Sequence, residues 1–163
     1  MNIFFIEDDP TQAAWSACDK HVVKMPLETA QMCSTALHYM MANDTSISTD
    51  GLYKVAYENH PMTKWVRETK ENLAWAVTHG LALCHEYTAR YGKVHASQAV
   101  LLNCARPITL EMDTCKYLDH TTPPQCMPDE YKCRDYVKAY RNYYRVAKAH
   151  IHKWTRAQPP AWL

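Results

Sequence analysis

Apolar residues recur at helical spacing along most of this chain. An apolar stretch at Ile3, Phe4 and Phe5 comes first, and its brevity predicts a short buried strand. Asp8-Asp9-Pro10-Thr11 then supplies a helix start, because acid or hydroxyl oxygens accept the free N–H groups of a first turn and proline is tolerated there. That first helix is expected to run to Val23, where Pro26 interrupts or restarts it. Leu27, Ala30, Cys33 or Ser34, Leu37 and Met41 carry a second helical stretch to about Ala42. The polar, turn-rich segment Asn43 to Gly51 reads as a loop.

Asn59-His60-Pro61 opens the longest pattern, in which Trp65, Val66, Thr69, Leu73, Ala76, Val77, Gly80, Leu81, Cys84 and Tyr87 form one stripe. One central helix should follow, stopped at Tyr91 by Gly92 in a left-handed cap, with a shorter helix from Ala96 to Asn103 behind it. Pro107, Pro123, Pro124 and Pro128 predict extended loop across residues 105–130. A last stripe, Tyr136, Val137, Tyr140, Tyr143, Tyr144, Ala147, Ile151 and Trp154, predicts a helix reaching toward Gln158-Pro159-Pro160.

Composition agrees with this pattern. Three glycines in 163 residues leave little turn material for hairpins. The expected class is all-α, a compact helical bundle with a short N-terminal extended segment, in one domain over residues 1–163. No apolar run reaches the length of a membrane span, and the start lacks the basic region of a signal peptide. Seven irregularly spaced cysteines argue for reduced thiols over a disulfide framework. The expected location is the cytoplasm, the host's if the chain is phage-encoded, with no membrane partner.

Charge changes the picture more. Residues 132–156 hold eight lysines and arginines against the single acid Asp135, a local +7 in a chain of net charge +1, so the remainder carries −6. Such segregation marks a surface for an anionic partner, nucleic acid or nucleotide. Lys138, Arg141, Arg145 and Lys148 step by three and four along the last helix, beside its tyrosines. Cations flanking aromatic rings suit phosphates and stacked bases, although the same pattern also describes a solvated face over a tyrosine core.

A second cluster, His21, Lys24, Glu28 and Gln31, recurs at helix-like intervals. A carboxylate beside lysine or histidine can act in acid–base chemistry or stabilise an oxocarbenium cation. The alternative is an ordinary surface ion pair. Nine histidines raise a metal reading through His60, His85, Glu86 and His95, or Cys115, His120, Cys126 and Cys133, but no tight ligand motif exists and neither metal nor cofactor is expected. A P-loop, a dinucleotide fingerprint and a nucleophile elbow are all missing from the sequence.

His21-Val22 leading through Lys24 to Glu28 and Gln31, Asn59-His60-Pro61 with Trp65, Leu83-Cys84-His85-Glu86-Tyr87 with Arg90-Tyr91-Gly92, and Tyr140-Arg141-Asn142-Tyr143-Tyr144 together carry a resemblance. The chain resembles the pyrimidine-dimer DNA glycosylases of the bacteriophage endonuclease V type, over roughly residues 13–92 and 136–150. The resemblance implies a helical DNA-repair N-glycosylase acting on damaged DNA or a pyrimidine nucleotide. It implies catalysis by Glu28 with Lys24 and His21, and substrate contacts from Gln31, Asn59, His60, Trp65, Arg90, Arg141, Tyr144, Arg145 and Lys148. In that family an N-terminal α-amine attacks the sugar. Here Asn2 predicts that the initiator methionine stays, so the nucleophile is not carried over, Lys24 is a substitute amine, and strand-cleaving lyase activity is not carried over with it. A non-catalytic module that sequesters a nucleotide or binds nucleic acid is the alternative.

Overall fold

The computed structural model describes residues 1–41, 48–109 and 119–163. Residues 43–47 of the expected loop, residues 110–118 of the expected extended segment, and with them Cys115, lie outside the described residues. The protein is all-α. The described residues form six α-helices: α1 (Pro10–Ser16), α2 (Asp19–Met41), α3 (Pro61–Val66), α4 (Lys70–Tyr91), α5 (Gln98–Thr109) and α6 (Tyr136–Ala147). Helix α4 is central, packing against α1, α2 and α5, while α2 also meets α3 and α5. Gly80 permits the close approach, since a Cβ there would stand 2.8 Å from Leu101 on α5 and 3.0 Å from Thr29 on α2.

Several boundaries differ from the periodic pattern, each for a tertiary reason. Among the described residues no strand forms, so the expected strand at Phe4 and Phe5 is an irregular buried segment. Its polar groups are met by side chains and a tight turn: the Ile3 N–H donates to Asn2 Oδ1 at 2.9 Å, the Ile6 N–H to the Phe4 carbonyl at 2.8 Å, and the Ile6 carbonyl accepts from Arg141 at 2.8 Å. Phe5 stacks on Trp75 at 4.2 Å and meets Trp65 edge-on at 5.1 Å.

The first helix ends at Ser16 rather than Val23, and α2 continues through Pro26. Remote groups hold that break. The Ala17 carbonyl accepts from Arg90 at 2.9 Å, and the Cys18 N–H donates to the Tyr144 hydroxyl at 2.8 Å. Burial of Val22, Met25, Ala30, Cys33 and Leu37 on both sides of Pro26 offsets its missing backbone donor. The predicted central helix is two: Thr69 caps α4 by accepting the Asn72 N–H at 3.0 Å, while the Asn72 side chain reaches back to the Trp65 carbonyl at 2.8 Å. Gly92, at φ 68°, closes α4 in the expected left-handed cap.

Helix α5 runs past Asn103 and through Pro107, because Leu101, Cys104, Ala105 and Ile108 keep one apolar face on the core. Helix α6 stops at Ala147, well before Gln158. The chain beyond it docks on the start of α2, where the Lys153 carbonyl accepts the Asp19 N–H at 2.8 Å and Thr155 donates to the Asp19 carboxylate at 2.7 Å. Six cysteines among the described residues are free thiols. Among those residues no helix is long and apolar enough to cross a membrane.

Candidate active site

The site is built around Glu28 on α2. One carboxylate oxygen, Oε2, accepts the Asn2 N–H at 2.9 Å and stands 3.5 Å from the α-ammonium of Met1. The other, Oε1, pairs with Lys24 Nζ at 3.2 Å. Lys24 keeps 69% of its side chain exposed, whereas Glu28 keeps 11%. The Lys24 pair is therefore a weak, screened contact, and the pairing with the head of the chain is the protected one.

That head is clamped from several directions. Asn2 Nδ2 donates to the Cys126 carbonyl at 3.0 Å, and Asn2 Oδ1 lies 3.2 Å from the Tyr140 hydroxyl of α6. The Met1 thioether accepts from the Thr63 hydroxyl of α3 at 3.6 Å. His60 caps α3 by accepting the Met62 N–H on Nδ1 at 3.2 Å. Burial lowers its pKa, the α-ammonium lowers it further and Glu28 opposes both, which places His60 beside the same pair. None of these clamps was legible in the sequence, because Asn2, Thr63, Cys126 and Tyr140 share no spacing with Glu28 and converge only when the helices pack.

Seven residues before Glu28, two turns along α2, His21 packs face to face on Phe4, with ring centroids 4.2 Å apart. Its Nδ1 lies 3.0 Å from the Tyr144 hydroxyl. Burial pushes the His21 pKa down to about 3, with Lys148, Lys24 and His152 adding repulsion, so the ring is neutral. Lys148, at the end of α6, sets its ammonium 4.9 Å from the Tyr143 ring centroid and 6.0 Å from that of Phe4. Lys24 and Lys148 thus form a basic margin around the neutral His21 ring, with Lys24 adjoining the carboxylate. Gln31, one turn beyond Glu28, is half-buried, and Asn59 is exposed next to His60.

Other expected contact residues are occupied within the fold. Trp65, 3% exposed, donates its indole N–H to the Thr121 carbonyl at 3.0 Å. Arg90, 2% exposed, binds the Ala17 and Trp15 carbonyls, Asp19 at 3.1 Å and Glu86 at 2.8 Å. Tyr144 is fully buried, with its hydroxyl engaged by Cys18 and His21. These three side chains are buried, and their polar groups are met within the fold. Arg141 binds the Ile6 carbonyl and Glu7 and lies over Trp162, and Arg145 reaches the Trp162 carbonyl. Of the four aligned cations on this helix, Lys148 is the one that meets the His21 cluster.

The metal reading gains no geometry: among the described residues no group of three or more His, Cys, Asp or Glu side chains is arranged to hold an ion. Glu86 is instead paired with Arg90.

The family model for pyrimidine dimer DNA glycosylases matches residues 1–98. The chain belongs to that family. Comparison with curated proteins gave no match, and comparison with solved structures gave none. Membership in the pyrimidine dimer DNA glycosylases makes DNA repair by glycosylase chemistry the coarse function, with nucleic acid as substrate. The matched stretch contains α1 to α4 and therefore Glu28, His21, Lys24 and His60; α6 and its tyrosines lie beyond it.

Proposed function

We propose that this protein is an N-glycosylase that cuts the glycosidic bond of a dimerised pyrimidine in DNA, with Glu28 as the catalytic carboxylate and the α-amine at the head of the chain as nucleophile. One observation carries the reading: Glu28 Oε2 is shared by the Asn2 N–H and the Met1 α-ammonium, at 2.9 and 3.5 Å. Glu28 takes a proton from the ammonium, and the freed lone pair attacks the sugar C1′. The C1′–N bond breaks, and the leaving base keeps that electron pair and takes the proton that Glu28 holds. As the proton passes to the base, Glu28 regains the charge that faces the cationic character at C1′. The glycosylamine so formed opens to an imine, and water returns the free amine and an abasic site. Strand cleavage requires the imine to lose a C2′ proton before hydrolysis.

Lys24, as the rival amine, is close to Glu28 but largely solvated, whereas the Met1 amine is buried against the same carboxylate. Lys148 supplies phosphate attraction at the basic margin.

The test is incubation with duplex DNA carrying one cyclobutane dimer, with and without borohydride. A reduced adduct mapped by mass spectrometry to the first residue, and loss of glycosidic-bond cleavage in Glu28→Gln with binding kept within about threefold, are the expected results. Glycosidic-bond cleavage that survives Glu28→Gln would remove the carboxylate from the mechanism. An adduct on Lys24 would reassign the nucleophile. Binding without any product in the wild type would favour the sequestration module instead.

A further inference from the structure

The hydrogen-bond chain behind His21 fixes more than its position. The Cys18 N–H donates into the Tyr144 oxygen at 2.8 Å, so that oxygen already serves as acceptor. A phenol has one hydrogen, and His21 Nδ1 at 3.0 Å is a stronger acceptor for it than the Cys18 thiol that also neighbours the hydroxyl. With Nδ1 accepting, a neutral imidazole carries its own hydrogen on Nε2. The arrangement is rigid: Tyr144 is fully buried on α6 and His21 is held between Phe4 and Tyr144, at 4.2 and 5.1 Å between ring centroids.

We infer that Tyr144 is a positioning residue that locks His21 in its Nε2–H tautomer, and that this N–H donates to a phosphate oxygen of the substrate held between Lys24 and Lys148. His21 is then a fixed donor and not an acid–base group, and this deepens the glycosylase reading by naming a phosphate contact next to Glu28. The charged and titratable groups around the ring all act in the same sense. Lys24 from α2, Lys148 from the end of α6 and His152 from the following turn each disfavour a proton on His21. Burial keeps the Tyr144 phenol well above its usual range, so it retains the hydrogen it donates. Two ammonium groups beside a neutral donor select an anionic oxygen over a carbonyl.

Long-range proton–nitrogen spectra of the full chain, with His21 assigned through His21→Gln, test the tautomer directly. The wild type should show Nε2–H alone from about pH 5 to about pH 8, and Tyr144→Phe should show both tautomers in that window. An Nδ1–H ring in the wild type, or a spectrum unchanged by Tyr144→Phe, overturns the inference. Affinity for a dimer-containing duplex provides the second arm. A glutamine amide can place its N–H where Nε2–H stands and an asparagine amide cannot, so His21→Gln should bind within about threefold of wild type while His21→Asn loses about tenfold. Equal losses overturn the donor role. If Tyr144→Phe does not fold, the wild-type spectrum and the Gln/Asn pair decide. A wild type that binds no duplex would sink the glycosylase reading and its phosphate contact, while the spectrum still judges the Tyr144 lock.

Discussion

Helices α2 and α6 both present charges at helical spacing, yet they use them in opposite ways. On α2, Glu28 pairs with Lys24 on its own helix and also reaches the head of the chain, where its shortest contact lies, so the side chains aligned by the sequence remain together as one site. On α6 the aligned cations are divided. Lys138 pairs with Asp135, Arg141 with Glu7, Arg145 with the Trp162 carbonyl, and Lys148 turns to Phe4 and Tyr143. Spacing on a helix says which side chains share a face. It does not say which of them a remote carboxylate or carbonyl has already engaged, so a charge count from sequence overstates the surface available to phosphate.

The comparison depends on the two helices being held together, and Arg90 is the strongest test of that. Its guanidinium joins α4 to Asp19 at the start of α2, and Asp19 in turn clamps Thr155 beyond α6. Burial raises the Asp19 pKa, but the Thr155 bonds and Arg90 outweigh it and leave it lowered. Arg90→Ala strands a buried carboxylate, and urea unfolding should show a loss of about 3–5 kcal/mol. A loss under about 1 kcal/mol would mean that the network is not what joins them.

Next in size is the head of the chain. Two residues added ahead of Met1 should lower glycosidic-bond cleavage by about 100-fold or more, because the amine no longer lies against Glu28. Full activity in the extended protein would leave α2 with a carboxylate and no amine partner.

Acid should expose a difference in kind. His21 and His79 are both held neutral, with pKa values pushed by burial to about 3 and about 4 from 6.5. Both values are depressed relative to the unfolded chain, so the unfolded state binds more protons below pH 6.5. The stability from these rings is complete above that pH and is lost as pH falls toward 4 and then 3, at about 1.4 kcal/mol per pH unit for each. His79 donates from Nδ1 to the Pro10 carbonyl at 3.0 Å, so His79→Asn should keep the bond and flatten its share of the slope. Urea midpoints at pH 7 and pH 5 measure it, and identical slopes in both proteins would count against a neutral His79.

The smallest effects separate the cations of α6. Lys148→Ala should weaken duplex binding several-fold and reduce the salt slope by about 1, while Arg141→Ala should leave the slope unchanged and lower stability by about 1–3 kcal/mol. Lys138→Ala removes an exposed pair and should leave both the salt slope and the stability unchanged. A slope that falls equally for Arg141→Ala would restore the continuous basic stripe.

Helix identity was legible from periodicity because an apolar stripe at 3.6-residue spacing has one economical way to leave water, and the caps at Asp9, His60 and Gly92 are local chemistry. The cluster of His21, Lys24 and Glu28 was legible for the same reason, since one helix carries all three. Boundaries were not. The breaks after Ser16 and Val66 and the continuity through Pro26 and Pro107 are set by Arg90, Tyr144, Asn72 and the buried faces of α2 and α5.

What the sequence determined by itself, then, is a set of amphipathic helices and one carboxylate-bearing face, both properties of neighbours along the chain. Tertiary packing alone decided that the first residue meets Glu28, that Tyr144 serves His21 and that Arg141 serves Glu7. Hydrogen bonds and ion pairs between residues far apart in sequence leave no periodic trace, and they exist only once the helices have buried their common core.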